Sequence, residues 1–360
     1  MASASRWRAD YPATPTPSPR GRGRGRGRGQ PQRVQSQEST PAPPSAMPFR
    51  ASSRPPVTPQ SSPSRRMVLM ASVSRSGGIE KDGDDLKDEK VQEEYRVYIQ
   101  GKLDAFWSKY VRRPDETDEQ ARQRVDAQEN LLILFRKLRE GIIASKRVDA
   151  FSDEVYASSL YLSILFDSPR NTSATVSVVL SYLRTRSPPQ SQSLALVCLL
   201  ERLVAPYPSQ SDFHTSLAGI PPPCFPPECA ERRWVRDLAR YLRTGNYTRV
   251  ERTVRRIPLL EDPLADKTVR HIVAALQTKA RESAWRTIRT AYREVTLEVS
   301  GAWLLRSLFL VPVREDEGVD ARMEGLGLED VLEHWLEGES GKGNAVKKEG
   351  TGKWGLSRPR

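Results

Sequence analysis

Apolar side chains return every three or four positions from about Gln92 to Val295, and a chain with that period buries them by coiling into helices packed on one another. Tyr95, Ile99, Leu103 and Trp107 mark the first stripe. Leu131, Phe135, Leu138 and Ile142 mark the second, with Gly141, Lys146 and Arg147 near its end. The stretch 151–166 is apolar on nearly every side, which assigns it to the centre of its domain. Segments 176–183 and 194–204 predict two more helices. The Pro-rich residues 206–227 predict an irregular connection.

The second half repeats the pattern. Trp234, Val235, Leu238, Tyr241 and Leu242 form one stripe, and Tyr247, Val250, Val254 and Ile257 the next. Between them stand Gly245, suited to a left-handed helix cap, and Asn246, suited to capping the following helix. A long helix is predicted over 264–295, with Trp285, Ile288, Tyr292 and Val295 on one side. Short helices in succession predict a helical-repeat stack, although no fixed sequence period repeats. Then a short strand-like segment (296–299), a helix (301–310), an acidic loop and a helix (328–336) follow. Finally residues 345–349 and 353–357 flank Gly350 and Gly352, a hairpin signal with glycine where positive φ is needed. Helix, strand, helix, helix, hairpin is the order of a winged helix.

Residues 1–78 differ in kind. They hold 13 of the 28 prolines, and Arg20, Arg22, Arg24, Arg26 and Arg28 alternate with glycine. Thirteen Arg face only Asp10 and Glu38 up to residue 75, so the excess charge of the chain lies there and the remainder is nearly neutral. Such a segment cannot bury enough apolar surface to offset an ordering cost of about 1–2 kcal/mol per residue, and disorder is expected. Eight acids against three lysines between Glu80 and Glu94 form an acidic hinge.

The expected architecture is therefore mainly α: a helical-repeat stack followed by a C-terminal winged helix with a small β-hairpin, behind a disordered N-terminal tail. Its divisions are the tail at 1–78, the acidic hinge at 79–91, the helical-repeat region at 92–262, and the long helix plus winged helix at 263–357.

Motifs for catalysis are not found. His214, His271 and His334 are far apart and none belongs to a zinc-protease pattern. Gly341-Lys342 is followed by Gly343, where a phosphate loop needs Ser or Thr for Mg²⁺. Cys224 and Cys229 form a C-x4-C pair with no second pair, a poor zinc site, and free thiols are expected for all three cysteines. No enzyme activity, cofactor, metal or small-molecule substrate is expected. No apolar run approaches the length of a membrane span, and no membrane partner is expected. The expected compartment is the nucleus and/or the cytoplasm. An Arg-rich, acid-poor start also fits mitochondrial targeting, against which its prolines disfavour an amphipathic helix.

Two basic regions invite phosphate. In the tail, Gly alternation lets each guanidinium of the Arg-Gly run reach a phosphate oxygen, giving weak non-specific RNA contact. The same run suits arginine methylation, and a solvated linker is the other reading. In residues 232–256 nine Arg meet few acids, which describes either a phosphate-binding face or the solvated side of a helix pair.

Three segments carry a family resemblance: 240–247, around Gly245-Asn246-Tyr247; 281–295, around Trp285 and Tyr292; and 346–356, around Trp354. Together they resemble PCI-type domains, the helical-repeat-plus-winged-helix modules of the proteasome lid, the COP signalosome and translation initiation factor 3. In size and spacing the chain is most similar to the group uniting signalosome subunit 8, lid non-ATPase subunit 8 and initiation factor 3 subunit k. The resemblance implies a non-catalytic scaffold that docks other PCI-type subunits. The acidic stretch 313–325 and the Arg-rich tail depart from that pattern. A Sac/GANP-like mRNA-export or RNA-processing factor, with nucleic-acid contacts through the winged helix and the Arg-Gly tail, is the alternative. Within the hairpin, Val346, Lys348, Trp354 and Leu356 are the candidate partner-binding residues. An edge strand offers free backbone groups, and Trp354 with Leu356 share one face; inward packing of both is the competing expectation.

Replacing Arg20, Arg22, Arg24, Arg26 and Arg28 by Gln is expected to flatten the salt dependence of weak RNA binding, itself on the order of 10⁻⁴–10⁻⁶ M at physiological salt. Fluorescence anisotropy across a salt series measures this, and an unchanged slope refutes it.

Overall fold

The computed structural model describes residues 67, 70, 72, 85–110, 116–186, 191–310 and 328–359. Among them it is mainly helical, with one small antiparallel sheet. The Arg-Gly run and the acidic stretch 313–325 lie outside the described residues.

A 3-10 turn at Asp85–Lys87 leads into α1 (Glu89–Lys109), whose Lys90 amide donates to the Asp88 carboxylate. Capping boxes start α2 (Asp118–Ser145), through Thr117 and Gln120, and α3 (Ala150–Leu165), through Asp149 and Ser152. Pro169 opens α4 (Pro169–Thr185), where a missing N–H costs nothing. Next come α5 (Ser191–Val204), α6 (Ser211–Gly219), α7 (Ala230–Arg243) and α8 (Tyr247–Val254). Gly245 takes φ +65° at the end of α7, and the Asn246 side chain accepts from the Arg249 amide at 3.1 Å to cap α8, both as the sequence predicts. The long helix α9 is Pro263–Ala291. After it come β1 (Glu294–Thr296), α10 (Leu297–Ser307), α11 (Leu328–Gly341), β2 (Ala345–Lys348) and β3 (Lys353–Leu356).

Each of α1 to α5 packs on the next, and α9 returns across them to lie on α3 and α5. Helix α3 is accordingly buried on nearly all sides, from Val155 through Leu160 and Tyr161 to Ile164. A main hydrophobic core runs from Met67 to Ala280 and takes in Phe309; a second gathers Ala284, Trp285 and Ile288 with the residues of the C-terminal sheet and helices.

Several expectations shift. The stretch 206–227 holds a helix, α6, because residues 209–220 between the prolines are free of them and Phe213 and Ile220 are apolar enough to bury. The long helix stops at Ala291, since Val295 is drawn into a strand paired with Trp354. The strand is thus 294–296 instead of 296–299, and the next helix starts at Leu297 instead of 301. In α1, Trp107 is 41% exposed and Phe106 takes its place in the core. Steps of four overshoot a helical turn by about 40° each, so a stripe extended from Tyr95 by three such steps rotates away from the core.

Met67, Met70 and Ser72, placed by sequence in the tail, sit on α2. Both methionines are buried, Lys137 donates to the Met70 carbonyl at 2.8 Å, and the Ser72 hydroxyl donates to the Glu140 carboxylate. The acidic hinge also contributes to the core, because Leu86 is fully buried against Gly141. A Cβ at 141 would lie 2.5 Å from the Leu86 carbonyl oxygen, so only glycine permits this crossing. Gln92, itself buried, donates to that same carbonyl at 2.9 Å and to the Ser145 hydroxyl at 3.0 Å.

Gly141→Ala is expected to cost about 1–3 kcal/mol by forcing Leu86 away. In a chain starting at residue 90, which lacks Leu86, the melting temperature falls, but the same substitution becomes neutral. Thermal unfolding of the four proteins tests this double cycle; equal losses in both backgrounds would show that Leu86 is not the reason.

Candidate docking edge in the C-terminal sheet

The three strands lie in the order β1-β3-β2, with β3 central and antiparallel to both neighbours. Helices α10 and α11 are connected between β1 and the β2–β3 hairpin, and α11 packs on β2. Gly350 and Gly352, at φ +72° and +60°, supply the left-handed positions of the turn.

Trp354, on the central strand, pairs with Val295 on one side and Lys347 on the other and is 1% exposed. It fills the second core beside Ala345, Leu332 and Leu336, with Leu356 half-buried on the same face. The two do point the same way, and that way is inward. The docking role assigned to the Trp354 side chain is therefore corrected: a small sheet covered on one face needs a large plug, and Trp354 is it. Val346 and Lys348 lie on the opposite, open face and are exposed, Val346 at 59%.

Edge geometry corrects a second point. The Ser357 amide donates to the Asn344 carbonyl at 3.0 Å, so 344 and 357 form a hydrogen-bonded pair. Alternation along the ladder then turns the backbone groups of Val346 and Lys348 toward β3, and those of Ala345 and Lys347 toward the free edge. A strand added at this edge would meet Ala345 and Lys347, not the two residues read from the sequence. The two edge lysines are drawn aside. Lys347 donates to Glu333 of α11 at 2.5 Å, and Lys348 to Glu294 of β1 at 2.6 Å.

One cluster holds helix, sheet and loop in register. The Glu339 carboxylate, 6% exposed, accepts from Trp285 Nε1 at 2.7 Å, from Asn344 Nδ2 at 2.7 Å and from Lys342 Nζ at 2.8 Å. Burial alone would push its pKa up, but the hydrogen bonds from Lys342, Asn344 and Trp285 outweigh it and hold the carboxyl below the ordinary glutamate value. Trp335 meets Trp285 edge-on, 4.8 Å between centroids, closing the cluster from outside.

Sequence patterning did not single out Tyr292, Val299 and Trp303 as surface residues. The first ends the long helix and the others lie on α10. Val299 is 85% exposed, and the Tyr292 and Trp303 rings stand 5.5 Å apart, both partly open to solvent. Only the early stop of α9, invisible in the periodicity, leaves Tyr292 outside.

Elsewhere, the three histidines stand on α6, α9 and α11, and His271 Nε2 is bonded to Asp167 at 2.7 Å. Gly341-Lys342-Gly343 closes α11 rather than opening a helix, so it offers no phosphate-loop geometry. Among the described residues no disulfide joins Cys198, Cys224 or Cys229; the Cys224 thiol donates to the Leu183 carbonyl, and the Cys229 sulfur caps α7 by accepting from the Arg232 amide. Among the described residues no helix is long and apolar enough to cross a membrane. The five tail arginines lie outside the described residues, and the arginines of 232–256 line the surface of α7 and α8. No protein-family model matches the chain, and a search of curated proteins returns no significant match.

Two substitutions probe the core behind the edge. Trp354→Ala is expected to cost about 3–5 kcal/mol in chemical denaturation. Because the Glu339 pKa is depressed in the fold, its contribution is full above the unfolded value of about 4.3 and is lost as pH falls through the folded value. Glu339→Gln should therefore remove part of the acid-side loss of stability below about pH 5. Parallel pH profiles of parent and variant would argue against the charged cluster.

Proposed function

We propose that the chain is a non-catalytic scaffold subunit of the PCI type. Its C-terminal unit is a winged helix that docks another PCI-type subunit in a proteasome-lid, signalosome or initiation-factor-like assembly. The observation that carries this reading is the β1-β3-β2 sheet with β2 at its edge, packed against α10 and α11. That strand order, with two helices between the first strand and the hairpin, is what a winged helix requires.

The chemistry of such docking is backbone pairing plus aromatic anchoring. At the edge, Ala345 and Lys347 present their N–H and C=O groups outward, and the side chain of Val346 adds exposed apolar surface on the open face. Tyr292, Val299 and Trp303 give the large exposed groups that interfaces concentrate their energy on. The helical stack, extended by α1 to α5, supplies shape rather than reactive groups. A Sac/GANP-like factor would share this architecture but hold its associated material through RNA.

Lys347→Pro removes an edge amide without breaking the β2–β3 hydrogen bonds, and it is expected to weaken partner binding at least tenfold with the melting temperature of the stack unchanged. Trp303→Ala is expected to cost about 2 kcal/mol or more in the same binding. Affinity purification from cells, with partners identified and ribonuclease added to a parallel sample, reads both variants. Retention of PCI-type subunits by Lys347→Pro at parental levels would move docking away from this edge. Loss of the co-purified material on ribonuclease treatment would favour the mRNA-export reading.

A further inference from the structure

We propose that the two grooves flanking α7 form a binding site for the phosphodiester backbone of single-stranded RNA, separate from the docking edge and from the N-terminal tail. Helices α6 and α7 both pack on α5 and leave between them a groove of about 760 Å³. Arg233, Arg236, Arg240 and Arg243 of α7 line it, and all four are exposed. They rise at steps of three, four and three, so they form one ridge about 15 Å long. Across the ridge, a second groove of about 350 Å³ is lined by Arg249, Arg252 and Arg256 with Tyr241.

Among the described residues the four ridge guanidinium groups make no hydrogen bond, ion pair or ring contact, whereas Arg249 already lies over Tyr241. Nearby, Arg255 is paired with Glu251 and Arg232 donates to the Phe225 carbonyl, whereas none of the four ridge arginines has an ion-pair partner among the described residues. Among the described residues, Asp237 is the sole carboxylate lining either groove. The Arg232 Nε, buried in the wall of the first groove, also has no hydrogen-bond partner among the described residues. Folding leaves this much like charge together only at a cost in mutual repulsion, which a polyanion relieves.

The choice of nucleic acid over an acidic protein segment rests on what the grooves lack. Among the described residues, none of the large exposed hydrophobic side chains lines either groove. A peptide would find no anchor for the apolar groups that dominate protein interfaces. A phosphodiester backbone needs none, because paired guanidinium hydrogen bonds and counterion release supply its affinity. A ring is present for a base to lie on: His214, exposed and set edge-on to Phe213 at 5.1 Å.

The test uses the full chain and a fluorescent 15-nucleotide oligouridylate, read by anisotropy from 50 to 200 mM salt. Changing Arg233, Arg236, Arg240 and Arg243 together to Gln keeps helix propensity and should leave the melting curve unchanged. Losing four phosphate contacts should lower the log–log salt slope by about 3, so that the salt increase weakens the parent about fiftyfold more than the variant. Arg240→Glu alone should weaken binding in the same direction, and the tail substitution of Arg20 to Arg28 should add to either. A folded quadruple variant with parental affinity and slope would overturn the proposal. So would displacement of the RNA by polyglutamate at equal or lower charge concentration, which would assign the grooves to an acidic protein.

Discussion

One helix carries the architecture. At 29 residues α9 spans about 43 Å and contributes to both hydrophobic cores. Its first half buries Ala265, Val269, Ile272, Val273, Leu276 and Ala280 in the helical stack; its second half buries Ala284, Trp285 and Ile288 under the sheet. At the change-over two cations tie in other helices. Lys279 donates to the Val204 and Ala205 carbonyls at the end of α5. Arg281 donates to the Leu308 and Phe309 carbonyls after α10, at 2.7 and 2.9 Å, with burial lowering its pKa. Helix C-termini leave carbonyls unmet and carry partial negative charge, so both contacts satisfy groups that would otherwise destabilise a packed junction.

That junction fixes what the surface can offer. With α11 and α9 covering one face, the sheet closes on Trp354 and leaves β2 as an edge. Elsewhere, α6 and α7 each pack on α5. The grooves lie beside α7, where Arg233, Arg236, Arg240 and Arg243 have no ion-pair partner among the described residues. The exposed edge lies on strand β2 and the basic ridge on helix α7, so the two proposed surfaces share no residues.

Helix positions were legible because burial in a helical stack imposes a period that composition cannot hide. Caps were legible for the same local reason: Gly245 and Asn246 act within a few residues of themselves. Errors arose where a distant partner decided. Val295 reads as the last turn of a stripe until β3 claims it. Met67 and Met70 look like tail because nothing adjacent marks the α2 surface that receives them. Gly141 reads as a helix end, although its role is to admit Leu86 from more than fifty positions away. For the candidate site, the hairpin and its glycines were readable, but the direction of each backbone group was not. A side-chain period of two says which residues share a face; which amides face the edge depends on the register with β3.

By itself, then, the sequence determined the helical class, the caps, the hairpin and the concentration of excess charge in the tail, since all of these follow from local periodicity, φ preference and composition. Only the tertiary structure decided that Trp354 is core and not contact, that Lys347 and not Val346 turns its amide outward, and that the ridge arginines of α7 have no ion-pair partner among the described residues. Those are questions of which distant groups come within a few ångströms. Burial, hydrogen-bond pairing and charge neutralisation act at that range, and they settle only when α9 has brought its two cores together.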